Sequence, residues 1–255
     1  MSLDISQFTF ATYAEAKGYC PDDDYEGQDL TDLVIIKNQI LRERLKANPT
    51  LDINAMRTMI GAGLATRGNH ANVLDFGGGG GNHFTIARTA LGTDVTLRWN
   101  VVETPAMAQK AQILAGDGLN FFHDIEEAAK DLGEIDLVFT SSALQYTPDP
   151  IHHLRQLTAV GARHLFITRT GFSHTGERLI GIQQSRLSDN GPGPVPANFP
   201  DRVIFYPYVF DPLSLVEDTI LSAGYQIRFK TVEEIEYKIK NIPIHLYGYF
   251  CVKAA

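Results

Sequence analysis

Asn72-Val73-Leu74-Asp75-Phe76-Gly77-Gly78-Gly79-Gly80-Gly81-Asn82-His83-Phe84 is the stretch whose reading decides the fold. Val73 to Phe76 is a short apolar run with a β-branched start, which predicts a buried strand. Five glycines follow, and Phe84, Ala87 and Leu91 then recur at helical spacing up to Gly92, a good C-terminal stop. Strand, glycine loop and helix in this order bring backbone N–H groups close to a nucleotide. A flexible linker would not stand between a buried strand and an amphipathic helix.

Spacing decides which nucleotide. The dinucleotide fingerprint needs glycines at the first, third and sixth places of a hexapeptide. Every register of this run fails at the last place, where Asn82, His83 or Phe84 stands. Asp75-x-Gly77-x-Gly79-x-Gly81 fits acidic-x-Gly-x-Gly-x-Gly instead. In these residues the chain resembles the class I S-adenosylmethionine-dependent methyltransferases, whose first motif has this form at the end of the first strand. The resemblance implies S-adenosyl-L-methionine as cofactor and S-adenosyl-L-homocysteine as product. An NAD(P)-dependent Rossmann oxidoreductase becomes the weaker reading. A third is a non-catalytic protein that keeps the methyltransferase fold, since fold does not fix function.

The chain has 255 residues, enough to bury a sizeable core, with apolar and charged fractions ordinary for a globular protein. A formal charge of -8 argues against a nucleic-acid partner, because phosphate binding needs a basic surface. No segment has the length and apolarity of a membrane span, and no signal-peptide pattern opens the sequence. A cytoplasmic location without membrane association is therefore expected. Cys20 and Cys251 are too few for a disulfide framework or a zinc site. Asp22-Asp23-Asp24 reads as a solvated turn rather than a metal site.

Residues 1–70 are expected to be an N-terminal helical cap. Leu30, Leu33, Val34, Ile40, Leu41 and Leu45 mark one amphipathic helix, and Ile53, Met56, Met59, Ile60 and Leu64 a second. From residue 71 to 255, strands and helices alternate as in a Rossmann-like α/β domain with a mostly parallel sheet. Strands are predicted at 97–103, 119–122, 135–140 and 164–168, closing with an antiparallel pair at 225–232 and 246–252. Seven strands with such a terminal pair match the resembled fold. Residues 171–208, with Gly191-Pro192-Gly193-Pro194-Val195-Pro196 at their centre, are expected to be a long irregular lid over the acceptor.

Glu103 ends the second predicted strand, where a carboxylate can accept hydrogen bonds from both ribose hydroxyls. The resemblance further places Asp124 on the adenine amine with Ile125 against the ring, and gives Asp75 the task of positioning the glycine loop and the methionine amine. As bare residues, Asp124 and Asp75 could equally serve local turns. After the fourth strand, Ser141-Ser142-Ala143-Leu144-Gln145-Tyr146 looks like the small-molecule methyltransferases, in which this segment lines cofactor and acceptor. Ser141 and Ser142 are thus counted with the cofactor. No carboxylate follows Thr140 to hold a hard cation in oxygen ligands, so no metal is expected.

If the acceptor is a hydroxyl, a base must take its proton, and histidine suits neutral pH. Elimination among eight histidines leaves His174, just beyond the fifth strand, with Tyr146 and Glu177 as alternatives. His83 reads as a contact to cofactor or solvent. A second resemblance, through Tyr13-Ala14-Glu15-Ala16 and Gly18-Tyr19 before the loop, is to methyltransferases encoded beside surface-polysaccharide genes. It implies a small-molecule acceptor of sugar or glycoconjugate type, methylated on oxygen or nitrogen.

Overall fold

The computed structural model describes residues 8–21, 27–197, 199–239 and 242–254. The Asp22–Asp24 turn lies outside them. The glycine stretch is flanked as its pattern predicts: β1 spans His70–Phe76 and α4 Asn82–Leu91. Before them come α1 (Tyr13–Lys17), α2 (Gln28–Ala47) and α3 (Met56–Ala65). After them, β2 (Thr96–Val102), β3 (Leu119–Phe122), β4 (Leu137–Ser141) and β5 (His164–Phe172) alternate with α5 (Pro105–Ala111), α6 (Ile125–Leu132) and α7 (Pro150–Ala159). The chain closes with β6 (Leu179–Arg186), β7 (Val203–Phe210), α8 (Leu213–Ser222), β8 (Tyr225–Ile239) and β9 (Ile242–Lys253).

Seven strands form one sheet in the order β3-β2-β1-β4-β5-β9-β8, with β9 antiparallel to both its neighbours. This is the Rossmann-like sheet with an antiparallel terminal pair. Alternation along β1 explains the layers. Val73 points to a core shared with α3, α4 and α5, whereas Leu74 points to one shared with α6, α7 and α8. Leu30, Leu33 and Val34 of α2 and Ala62 and Ala65 of α3 belong to the first of these cores. α2 and α3 thus contribute to one helical layer of the sheet.

Register brings the functional edge together. Phe76 pairs with Val102 on one side and Thr140 on the other, so the carboxyl ends of β1, β2 and β4 are level. Helices begin at this edge with their own caps. Thr104 caps α5 ahead of Pro105, and Asp149 caps α7 ahead of Pro150.

The segment 171–208 is the main correction. Residues 179–186 and 203–208 of it pair as a regular antiparallel ribbon, β6 with β7, whereas 173–178 and the described residues of the tip, within 187–202, are irregular. Ile180, Ile182 and Val209 on one face pack against Ala16 and Cys20, and Leu179, Tyr208 and Phe210 pack on the other. The Gly-Pro run belongs to the tip, not to the whole segment. The strand ends also run further than expected: β5 continues past Thr168 to Phe172, and β8 past Val232 to Ile239.

Candidate functional site

Asp75 sits at the end of β1, fully buried. Its Oδ2 accepts the indole N–H of Trp99 at 2.9 Å and lies 3.0 Å from Nδ1 of His83. A buried carboxylate needs such partners to offset its desolvation. It braces the loop from behind, because a Cβ on Gly78 would overlap its Oδ2. Gly77, with φ +74°, must be glycine on two counts: the left-handed backbone, and a Cβ that would overlap that of Ala143. Gly81 also lies in the left-handed region, with φ +81°, and caps α4.

Glu103 follows the last residue of β2. Its Oε1 accepts the N–H of Gly79 at 2.9 Å, and its Oε2 the N–H of Thr104 at 3.0 Å. Burial pushes its carboxyl above the usual glutamate range, against the pull of these two backbone donors. Asp124 caps α6, accepting the N–H of Glu127 at 2.9 Å, as the local reading expects, and it also lines a cavity.

Two cavities open at the carboxyl edge, of about 610 and 600 Å³. They share Gly77, Glu103 and Thr104 and so form two ends of one trough. The first is lined by Gly78, Gly79, His83, Ser141 and Arg169, and closed by Asn190 to Gly193 at the ribbon tip. The second holds Asp124, Ile125, Ala143 and Tyr146. The structure therefore brings Gly77, Gly79, Glu103, Asp124, Ile125, Ser141 and Tyr146 to the trough. Asp75 and Gly81 stand behind it.

Ser142 has φ +55°, a conformation rare outside glycine, asparagine and aspartate. Its N–H donates to Thr168 at 3.0 Å, and its Oγ accepts from Gln145 at 3.1 Å. It shapes the turn after β4 and is not itself among the trough's lining residues. Tyr146 is partly buried, desolvation raises its phenol pKa, and its O–H donates to Gln183 of the ribbon at 3.0 Å. A neutral phenol engaged as a donor is poorly suited to remove a proton.

His174 is not brought to the trough. It is exposed beyond β5, with Nε2 2.8 Å from the Tyr247 hydroxyl and its ring edge-on to His245. It lines neither cavity, nor does Glu177. The continuation of β5 to Phe172, opposite His245 of β9, carries this position past the trough. The base expected there thus lacks a place beside the site.

Three contributors escaped the sequence reading. Asn38 of α2 packs on Gly80, where a Cβ would overlap its amide. Lys37, one residue earlier, is buried, and its Nζ donates to the carbonyls of Ser188 at 2.8 Å and Asn190 at 2.7 Å. Burial lowers its pKa. Arg169 lines the first cavity from the end of β5. Only the helical period of α2 was visible beforehand, and it does not reveal contacts to a segment some 150 residues away.

Among the described residues, no group of three or more histidine, cysteine, aspartate or glutamate side chains is placed to hold a metal ion, and no helix is long and apolar enough to cross a membrane.

No family model matches this chain, and no curated protein does. Solved structures do. An S-adenosylmethionine-dependent methyltransferase from Clostridium acetobutylicum ATCC 824 is 10% identical with a TM-score of 0.50, the match covering 86% of this chain and 100% of that one. A SAM-dependent methyltransferase from Methanosarcina mazei is 12% identical with a TM-score of 0.48, over 73% of this chain and 94% of that one. Magnesium protoporphyrin IX methyltransferase from Synechocystis PCC 6803, crystallised with bound SAH, is 14% identical with a TM-score of 0.45, over 86% and 100%. At such identities the likeness concerns architecture. The chain has the Rossmann-like fold seen in SAM-dependent methyltransferases.

Proposed function

We propose that this chain is a methyltransferase that uses S-adenosyl-L-methionine to methylate an oxygen or nitrogen of a small molecule, of the class that includes sugars and glycoconjugate precursors. The carrying observation is the Gly79 N–H bonded to Glu103 within an acidic-x-Gly-x-Gly-x-Gly loop, at the mouth of a trough on the carboxyl edge of the sheet. Open α/β sheets bind ligands at that edge.

The residues present fit the cofactor. Gly77 to Gly79 offer close backbone approach, Glu103 is placed for the ribose hydroxyls, and Asp124 with Ile125 stands at the far end for the adenine. Ser141 and the turn shaped by Ser142 border the space between. When bound, the cofactor supplies an electrophilic methyl group on sulfur. The chain's own contribution is to hold donor and acceptor in line and to exclude water, which accounts for much of the acceleration in such displacements. The trough, closed by α2 and the ribbon tip, suits that task.

Calorimetric titration with S-adenosylhomocysteine and with NAD tests the reading. Binding of the first and not the second is expected. Binding of NAD alone would overturn it, and a screen of small-molecule acceptors then separates an enzyme from a chain that merely retains the fold.

A further inference from the structure

We propose that the first cavity takes an acceptor bearing a carboxylate or phosphate group, held by Arg169 and Arg44 apart from the atom that is methylated. This rests on the methyltransferase reading above and names the chemistry of its acceptor.

Arg169 occupies an unusual place. Its φ is +54°, in the left-handed region that arginine seldom adopts. The β5–β9 pairing breaks register between Ile167 and Thr170, so Arg169 stands in a bulge without a ladder partner. Bulges at functional edges re-aim a side chain, and strained backbone gathers at ligand sites. Here the irregularity falls at the arginine that lines the cavity from the sheet, beside Ser141.

Charge partners narrow the choice. Four carboxylates line this cavity, and each is already engaged. Asp52 accepts the N–H groups of Asn54 and Ala55, and Asp189 that of Arg186. Glu103 accepts those of Gly79 and Thr104, and Glu233 pairs with Arg57. Arg44 and Arg169 also line the cavity, and among the described residues neither guanidinium has a hydrogen-bond or ion-pair partner. A guanidinium presents a planar fork of donors that matches a carboxylate or phosphate. Two such forks line one polar cavity whose carboxylates already accept hydrogen bonds from the chain or, for Glu233, pair with Arg57, and these unpaired cations suit an anionic group on the ligand.

The test is calorimetric titration of the protein, saturated with S-adenosylhomocysteine at low ionic strength, with inorganic pyrophosphate and with malonate. Propane-1,3-diol is the neutral control. One anion per chain should bind, and the diol should not. Arg169→Asn removes the charge with a residue that tolerates the left-handed region, and should weaken anion binding about tenfold or more, the loss of a charge-assisted contact. Its affinity for S-adenosylhomocysteine should stay unchanged, as should anion binding by Arg155→Gln, a surface arginine outside both cavities. Arg44→Gln, on an exposed helical position, should weaken the anion as well and carries the test should Arg169→Asn not fold. No anion binding by the unaltered chain, or equal binding in the variants, overturns the proposal. So does an equal loss of S-adenosylhomocysteine affinity in Arg169→Asn, which would hand Arg169 to the donor's own carboxylate. Failure to bind S-adenosylhomocysteine at all would overturn the methyltransferase reading and this acceptor with it, and is seen separately, in the titration that precedes the anions.

Discussion

Gly79 donates its backbone N–H to Glu103 Oε1 at 2.9 Å, and this bond joins the glycine loop to the end of the neighbouring strand. The same carboxylate takes the Thr104 N–H through its other oxygen. In the proposed reading, loop position and ribose recognition are therefore coupled through one side chain. Glu103→Gln keeps the shape but sets an N–H₂ group against one of the two donors. S-adenosylhomocysteine should bind more weakly by ~1–3 kcal/mol, the range for a lost charge-assisted hydrogen bond. Unchanged affinity by calorimetry would remove Glu103 from the cofactor site.

The raised pKa of Glu103 sets a pH dependence. Burial favours the protonated acid in the folded chain more than in the unfolded one. Its contribution to stability is therefore present at low pH and is lost as pH rises through the folded value. Cofactor binding has the opposite sign, since only the ionised form can accept from two hydroxyls. Affinity should fall on acidification at a pH above the usual glutamate value of 4.5. Affinity followed across acidic pH checks this, and Glu103→Gln should flatten the profile.

Two glycines of the loop separate folding from binding. At Gly77 an added Cβ would overlap Ala143, so Gly77→Ala should lower the melting temperature. Gly79, with φ +55°, faces only Val34 Cγ1 at 3.5 Å from a built Cβ. Gly79→Ala should cost only the ~1–2 kcal/mol of a left-handed residue while impairing cofactor binding, because the added methyl enters the trough. Equal effects of the two on stability, with binding retained in Gly79→Ala, would contradict this division.

Much of this site was legible because its signals are local. The acidic and glycine spacing around Asp75, the acid closing β2 and the cap at Asp124 each lie within a few residues of the strand end that places them. What escaped depends on long-range packing. Trp99 and His83 meet on Asp75 only once β1, β2 and α4 are assembled. Lys37 reads as a surface position of an amphipathic helix and is buried because the ribbon tip comes back over it. The ribbon is hard to see in the sequence because the Gly-Pro tip dominates its composition, while the apolar alternation of β6 and β7 is short. The expectation for His174 rests on a strand that ends at Thr168, and four more residues of strand displace it from the trough.

The tip, rather than the whole segment, should respond to ligand. Hydrogen exchange with S-adenosylhomocysteine should show added protection within 187–193, and little change in the paired strands β6 and β7. Lys37→Met removes the donor to the Ser188 and Asn190 carbonyls and should raise exchange of that tip in the free chain. Uniform protection across 171–208 would mean that the ribbon moves as one unit.

Tyr146 allows a last test, of whether it removes a proton or holds the ribbon. Its hydroxyl donates to Gln183, its ring meets Tyr206 edge-on at 5.3 Å between centroids, and its carbonyl accepts from the Tyr13 hydroxyl at 3.3 Å. These contacts join the turn after β4 to the ribbon and to α1. Burial raises its pKa, so at neutral pH the phenol keeps its proton. Tyr146→Phe keeps the ring and its packing but leaves the Gln183 oxygen short of that donor. A stability loss of ~1–3 kcal/mol is expected, with cofactor affinity nearly unchanged. Turnover should fall far less than the ~10²–10⁴-fold that a general base contributes. A loss of that size, with stability intact and a pH–rate profile stripped of its rise with pH, would make Tyr146 the base.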